Sequence, residues 1–537
     1  MATKTASMIP LALASVDDNY TPTDYDEITA TYTAHCYNYG SLATKNFTEA
    51  IPNPTRLFMI KSIRISTLLY SSVVGALIIA FGFGYDAGFP SPALHDLDQS
   101  KGKHTYFKKI IYHDTFNALS SIGALIGAPI AGWLVDYHGR QFTLVLCTIP
   151  MTIGWLLIAI TTSITGPLFR PLLFTGRFIT GIGVGSATLV VPLYTAEISP
   201  KQLRGMFGSV IQLSAAIGVF VAQALGIVLH YDWLCVVVLA VLFMFVVLAS
   251  STLKESPRWL IAHGKDLQAT KVLAWLRGPN FNVSQEQREI KEQLVSERKL
   301  TLAKQVQDFS TRRVLHPLIL SMGLMFFQQF TGIKIVLVNG QEIFEQAGVS
   351  DAAVTTAFAI GAALTLATLF GVFLADILKR KLLLVLSATI MCFSMAVLSI
   401  YDFLRNEPYC DPDLTDSKCK SNLQPLAIVA MAAYTIGYSI GWCTLPWVQA
   451  SELIPLRVRG AAVGIATGVN WVSSATILFS YGSYQSLVKP WGTFLTFSVI
   501  NFLAIIFVII FVPETKGKSL EEIERYFNHH HESYSTL

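Results

Sequence analysis

Glu197-Ile-Ser-Pro200-Lys-Gln-Leu-Arg204-Gly205 and Glu452-Leu-Ile-Pro455-Leu-Arg-Val-Arg459-Gly460 are two copies of one phrase. Glu, Pro, Arg and Gly keep the same spacing in both, and each copy lies between two apolar runs. A phrase repeated in corresponding places of two halves signals internal duplication, and duplicated membrane folds are typically transporters.

Composition places both halves in a bilayer. The 537 residues are 52% hydrophobic and 14% charged, with a mean hydropathy of +0.50. Soluble domains carry about 25% charged residues, so charge this sparse leaves much of the surface to lipid. The net charge of +4 is spread over short loops without a basic stripe, which argues against nucleic acid as a partner. Apolar runs of the roughly 20 residues that a span requires fall near 66–88, 113–135, 142–163, 172–194, 207–228, 232–252, 317–340, 353–374, 382–403, 425–449, 460–482 and 491–512. The expected class is an all-α membrane protein with twelve transmembrane helices. A polar insert divides them six and six. The expected domains are a polar, disordered tail over 1–65 without a cleavable signal peptide, a first bundle over 66–252, a helical cytoplasmic linker over 253–316, a second bundle over 317–512 and a tail over 513–537.

Lys and Arg placement sets the orientation. Arg140, Lys201, Arg204, Lys379, Arg380, Lys381, Arg457 and Arg459 fall in short loops on one side, which places both termini in the cytoplasm. Only the loop 89–112, with four Lys, dissents. Cys410 and Cys419 share the outer loop 404–424, where either a disulfide or two free thiols would suit the spacing. The sequons at Asn46 and Asn282 fall on the cytoplasmic side and read as chance matches. The run His529-His530-His531 lacks a fixed fourth ligand, so no metal site is expected. No Gly-rich phosphate cradle, metal cluster or nucleophile motif occurs, which argues against an enzyme, a cofactor or an ATP-driven pump.

Further pairs extend the repeat. Gly132-Trp-Leu-Val-Asp136-Tyr-His-Gly139-Arg140 ends span two, and Phe373-Leu-Ala-Asp376-Ile-Leu-Lys379-Arg380-Lys381 ends span eight. Glu255-Ser-Pro257-Arg258-Trp259 follows span six, and Pro513-Glu514-Thr515-Lys516-Gly517 follows span twelve. All are expected on the cytoplasmic face. The expectation is an inner gate, in which ion pairs between the halves, drawn from Arg140, Glu197, Arg204, Glu255, Arg258, Asp376, Arg380, Glu452 and Arg459, hold the inner side shut. Wet ion pairs are weak, so such a gate stays near balance. The alternative is helix-end charge that serves topology alone.

These phrases, with Gln328-Gln329-Phe-Thr-Gly332-Ile, Pro446-Trp447 and Asn470-Trp471, resemble the sugar porter family of the major facilitator superfamily over about 66–525. Phe89-Pro-Ser-Pro-Ala-Leu and Gly441-Trp442 are most similar to the branch with insect trehalose transporters and animal glucose transporters. The resemblance implies two six-helix bundles that rock about a central sugar site by alternating access. By family position, Gln212, Gln328, Gln329 and Asn470 face the cavity, and Trp447 and Trp442 stack on the sugar. Helix-to-helix hydrogen bonding is the other role open to these amides. The chain departs from the family at Lys334, where an Asn is usual, and at Val338-Asn339, where an aromatic pair is usual. Lys254 replaces a Pro and Lys379 a Gly. Lys334 is therefore a candidate substrate contact, and it leaves polyols or organic anions open as cargo.

Asp86, Arg177 and Lys334 fall in the outer half of the membrane, where a charge costs roughly 2.5–3.5 kcal/mol near mid-depth. Within the family, an acid facing an Arg at these places resembles proton-coupled symporters, so protons are a possible second partner. A permanent ion pair with facilitated diffusion is the alternative. A receptor-like sugar sensor that keeps the fold is the rival from another class. The fold implies a monomer, and the plasma membrane is the default location, with an internal vesicle open.

Overall fold

A computed structural model describes residues 67–99, 110–164, 166–200, 203–278, 281–296, 309, 311–406, 424–455, 458–518 and 522. Cys410, Cys419, Asn46, Lys201, Arg457, the run His529–His531 and the expected N-terminal tail lie outside the described residues, as does the side chain of Asp376.

Among the described residues every regular element is helical. The long helices are α1 Thr67–Gly88, α2 Ile110–His138, α3 Arg140–Ile160, α4 Phe169–Ile198, α5 Arg204–Leu225, α6 Tyr231–Thr252, α7 Arg312–Phe330, α8 Ala363–Ile377, α9 Arg380–Asn406 and α10 Gln424–Ile440. A final helix, Arg459–Phe511, has 53 residues. At 1.5 Å per residue it would run roughly 80 Å, far beyond a bilayer core. It turns back at Lys489, whose φ of 62° is left-handed, just before Pro490. Proline lacks the N–H a helix needs and bars its predecessor from the α region. The helix is therefore two spans, α11 over 459–488 and α12 over 490–511. Among the described residues eleven helices are long and apolar enough to cross a membrane, and this turn makes the last of them two, for twelve. Phe243, Phe370 and Phe393 stand largely exposed on the outside, as lipid permits and water would not.

Between helices in lipid, close backbone approach replaces the hydrophobic drive. Gly123 and Gly127 on α2 face Gly181 and Gly185 on α4. A Cβ at Gly127 would sit 2.0 Å from the Ile182 carbonyl oxygen, and one at Gly185 would sit 2.1 Å from that of Ala124. The same device joins α1 to α5, where a Cβ at Gly218 would meet the Phe81 oxygen at 2.2 Å.

The first six spans share cores around Tyr194, Phe245 and Trp155, and the last six share one around Met391 and Tyr434. The halves meet along α2 with α11, and along α5 with α8. Before α8 the chain makes a π turn, Ala357–Ala362, whose Gly361 packs on Phe220 and Gln223 of α5. Such turns recur at functional sites. The insert forms helices Pro257–Ala262, Asp266–Arg277 and Val283–Ser296. The Trp259 indole donates to the Asp136 carbonyl at 3.1 Å and Arg277 donates to that of Ile198 at 2.8 Å, so the insert seats on the ends of α2 and α4. That end of the bundle is called the phrase face below, and the other the far face.

We expect Gly127→Leu or Gly185→Leu to push α2 from α4, at a cost of about 1–3 kcal/mol or more. The change is read as loss of the monodisperse fraction in detergent. Gly464→Ala and Gly468→Ala, with nothing within 4 Å of the added Cβ, should leave that fraction unchanged.

Candidate functional site: a broken-helix centre between two gates

On the phrase face the duplication appears as one device built twice. Glu255 accepts from the backbone N–H groups of Arg140 and Gln141 at 2.8 and 3.1 Å, at the start of α3. Glu514 accepts from those of Arg380 and Lys381, both at 3.1 Å, at the start of α9. Each carboxylate meets the orphan donors and the positive end of a helix dipole. Burial raises the Glu255 carboxyl above its ordinary pKa, against the opposing pull of these N–H groups and Arg140. Gly139, at φ 98°, gives it room: a Cβ there would lie 2.3 Å from a Glu255 oxygen. The side chain at each helix start then reaches the repeated phrase. Arg140 makes a two-pronged pair with Glu197 at 2.7 and 2.8 Å, and Arg380 pairs with Glu452.

Both pairs close within a half. The expectation of pairs that bridge the halves therefore does not describe Arg140, Glu197, Arg380 and Glu452 in this state. Arg459 donates to the Ile454 carbonyl at 3.1 and 3.2 Å, again within its own half. Arg204 is exposed, within electrostatic range of Arg258, Arg277, Glu286 and Glu197.

The described bonds that do cross between halves lie toward the far face. Asn117 donates to Asn339 at 3.2 Å, Ser121 meets Ser474 at 2.8 Å, and Ser91 accepts from the Gln341 backbone at 3.1 Å. Gln223 donates to the Leu337 carbonyl at 3.3 Å, Asp114 accepts from the Gly482 N–H at 3.0 Å, and His95 meets Glu345 at 2.6 Å. The far face is closed.

At mid-depth two helices break. α7 ends at Phe330, Gly332 takes a left-handed φ of 103°, and the chain resumes as Ile333–Val338. α10 ends at Ile440, turns through Gly441 to Thr444, and resumes as Leu445–Leu453. Broken backbone at this depth must find internal partners. Tyr434 and Asn501 donate to the Thr331 carbonyl at 3.1 and 3.3 Å. Gln328 donates to the Trp442 carbonyl at 2.8 Å and the Cys443 carbonyl at 3.3 Å, while its own oxygen accepts from Asn470 at 2.7 Å. Asn470 accepts in turn from Gln329 at 3.1 Å. Gln328 is thus fully engaged, whereas the Gln329 carbonyl oxygen is buried with no partner.

Asp86 is 4% exposed and Arg177 2%. Arg177 donates to one Asp86 oxygen at 2.6 Å, and Ser120 donates to the other at 2.7 Å. The guanidinium also lies over the rings of Phe116 and Phe89, at 5.0 and 5.9 Å. Lys334 lies just past the α7 break, half-buried, its ammonium 5.6 Å from the Trp471 ring centre.

Of the anticipated substrate contacts, Gln328, Gln329 and Asn470 form one network, and Lys334 lies beside its neighbour Trp471. Trp447 is half-buried against Met325. Gln212 is half-buried on α5, with no hydrogen bond among the described residues. Trp442 does not present a stacking face: it is 0% exposed, and its indole donates to the Leu384 carbonyl at 3.2 Å. Asn117, Ser120, Ser121 and Ser474 were not anticipated. Asn117 carried a signal, because an amide in an otherwise apolar span needs a partner. The serines carried none, since a serine in a span can bond its own helix.

A family model described as Sugar (and other) transporter matches residues 72–527. The chain is 34% identical to sugar transporter ERD6-like 6 of Arabidopsis thaliana, over 84% of this chain and 89% of that protein. It is 32% identical to facilitated trehalose transporter Tret1 of Bombyx mori, over 86% and 88%, and 30% identical to facilitated glucose transporter member 8 of Bos taurus, over 86% and 94%. The structure of the E. coli xylose transporter XylE in a partially occluded inward open conformation shares the fold, with a TM-score of 0.69 at 22% identity over 84% of this chain and all of that one.

Because each phrase-face pair closes within its own half, Arg140→Gln and Arg380→Gln should act independently. Each is expected to lower stability by about 1–3 kcal/mol, and the double variant to equal their sum within about 0.5 kcal/mol. Thermal melting of the four proteins in detergent checks this.

Proposed function

Taking as premise that the chain belongs to the sugar transporter family and is a sugar porter, we propose that it moves a hexose or trehalose down its gradient by alternating access. The observation that carries this reading is the α7 break, where the Gln329 oxygen is buried without a partner and the Lys334 ammonium lies 5.6 Å from the Trp471 ring. Sugars need amide partners for hydroxyls and an aromatic face for the ring. Gln329, Asn470, Lys334 and Trp447 are the proposed contacts, whereas Gln328 braces both breaks.

The rocking bodies are the bundles 66–252 and 317–512, with 253–316 as linker. The phrase face and both termini lie in the cytoplasm, and the plasma membrane is the site of action. The present state faces inward. To face outward, the far-face bonds must part and the phrase face must close. Each neutral bond contributes only about 0.5–1.5 kcal/mol, so a set of this size keeps the two states within reach of one another. Arg204, Arg258 and Asp376 are the remaining proposed gate residues, with the pairs already formed inside each half as the fixed parts of the phrase face.

Asp86 and Arg177 act as a fixed ion pair in this reading. Proton symport is the second reading, and the same pair favours it: protonation of Asp86 would remove the negative charge that Arg177 now pairs with. Uptake of labelled glucose and trehalose into proteoliposomes, with and without an inward pH gradient, separates the two. Equal initial rates are expected. Stimulation by the gradient that vanishes in Asp86→Asn would replace the first reading with the second. Gln329→Ala should raise the half-saturating sugar concentration by about tenfold or more, as loss of a buried hydrogen-bond partner does. Unchanged uptake kinetics in that variant would remove Gln329 from the site.

A further inference from the structure

We propose that the preferred cargo of this porter is a sugar acid, a polyhydroxylated molecule with one carboxylate that Lys334 holds. The inference rests on the sugar-porter reading and adds the chemical class of the substrate.

The argument starts from charge. Three ionisable side chains lie within electrostatic reach of one another at membrane depth: Asp86 from α1, Arg177 from α4 and Lys334 from the segment after the α7 break. Asp86 is fully committed, with one oxygen on Arg177 and the other on Ser120. Among the described residues no hydrogen bond or ion pair engages the Lys334 ammonium, which lies 5.6 Å from the Trp471 ring centre. Asp86 and Arg177 both act on it electrostatically, with opposite sign. With Asp86 paired to Arg177, the three side chains carry one surplus positive charge whenever Lys334 is protonated. A charge left without a partner in such a place is strongly destabilising. An anion that arrives with the substrate relieves it.

The orphaned polar atoms around Lys334 say what else that anion carries. The Gln329 and Asn117 carbonyl oxygens are buried acceptors with no donor, and the Trp471 indole N–H is a buried donor with no acceptor. They line one stretch between the halves. Gln329 bonds Asn470, Ser474 lies a turn further along α11 and meets Ser121, and Asn117 lies a turn from Ser121 on α2. Two acceptors call for two hydroxyl donors, and the indole calls for an oxygen. A neutral hexose meets these needs but leaves Lys334 uncompensated. A short acid without hydroxyls compensates Lys334 but leaves the amides orphaned. A sugar acid satisfies both sets with one molecule.

The test is uptake of labelled glucuronate and labelled glucose into proteoliposomes that carry the full chain, for the wild type, Lys334→Arg and Lys334→Asn. The expected wild type half-saturates at a glucuronate concentration about tenfold or more below that for glucose, the scale of one charge-assisted contact. Unlabelled gluconate should compete and lactate should not. Lys334→Arg should keep the preference. Lys334→Asn should lose glucuronate uptake by a similar factor, and cooperative thermal melting in detergent shows that the variant folds. Glucose or trehalose uptake that glucuronate does not inhibit, with a selectivity that Lys334→Asn leaves unchanged, would overturn the inference and leave the sugar-porter reading standing. Absence of uptake for glucuronate, glucose and trehalose alike, in protein that melts cooperatively, would overturn both.

Discussion

Gln328 braces the two places where helices stop being helices. A transporter needs irregular backbone at mid-depth, because unwound chain lets side chains and substrate approach. Lipid offers such backbone no hydrogen-bond partners. One amide resolves the conflict here: its nitrogen takes the freed carbonyls of Trp442 and Cys443 at the α10 break, and its oxygen takes Asn470 of α11. The residue that meets those needs sits two positions before the α7 break. Gln329, its neighbour in sequence, is left with an open oxygen. Of two adjacent residues of the same type, one is fully engaged and the other keeps one buried oxygen without a partner.

The same division appears at the ends of the molecule. On the phrase face, Glu255 and Glu514 cap the starts of α3 and α9, and Arg140 and Arg380 tie those starts to the repeated phrase. Both assemblies are rigid within a half, so they can move as units. On the far face the contacts between halves are mostly neutral: an amide pair, a serine pair and single backbone bonds. Charged assemblies within each half, and mostly single, neutral bonds between halves beside the Asp114 and His95–Glu345 contacts, suit two bodies that must separate repeatedly without coming apart themselves.

Much of this was legible without coordinates. The repeated phrase, the sparse charge and the twelve apolar runs point to a duplicated membrane fold, because lipid imposes length and apolarity on each span directly. The Gln328-Gln329-x-x-Gly332 stretch marked the centre through its resemblance to the family motif. Three things were not legible. Trp442 read as a stacking face, yet it is spent inside the second half on the Leu384 carbonyl. Ser121 and Ser474, remote in sequence, join the halves. The phrase-face ion pairs fall within each half instead of across the halves. Each depends on which helix faces which, and periodicity along one helix carries no record of its neighbour.

The sequence by itself determined the membrane class, the count of spans, the duplication and the presence of Asp86, Arg177 and Lys334 among apolar residues. These follow from local composition and spacing, which lipid reads one helix at a time. Only the tertiary structure decided how those charges are shared. Asp86 could have paired with either cation, and it takes Arg177 and Ser120, leaving Lys334 over Trp471 with no ion pair among the described residues. Pairing depends on distances of a few ångströms between side chains on α1, α2, α4, α7 and α11. Those distances are set by how the helices pack, through the glycine contacts of α1 with α5 and of α2 with α4, and by where α7 breaks.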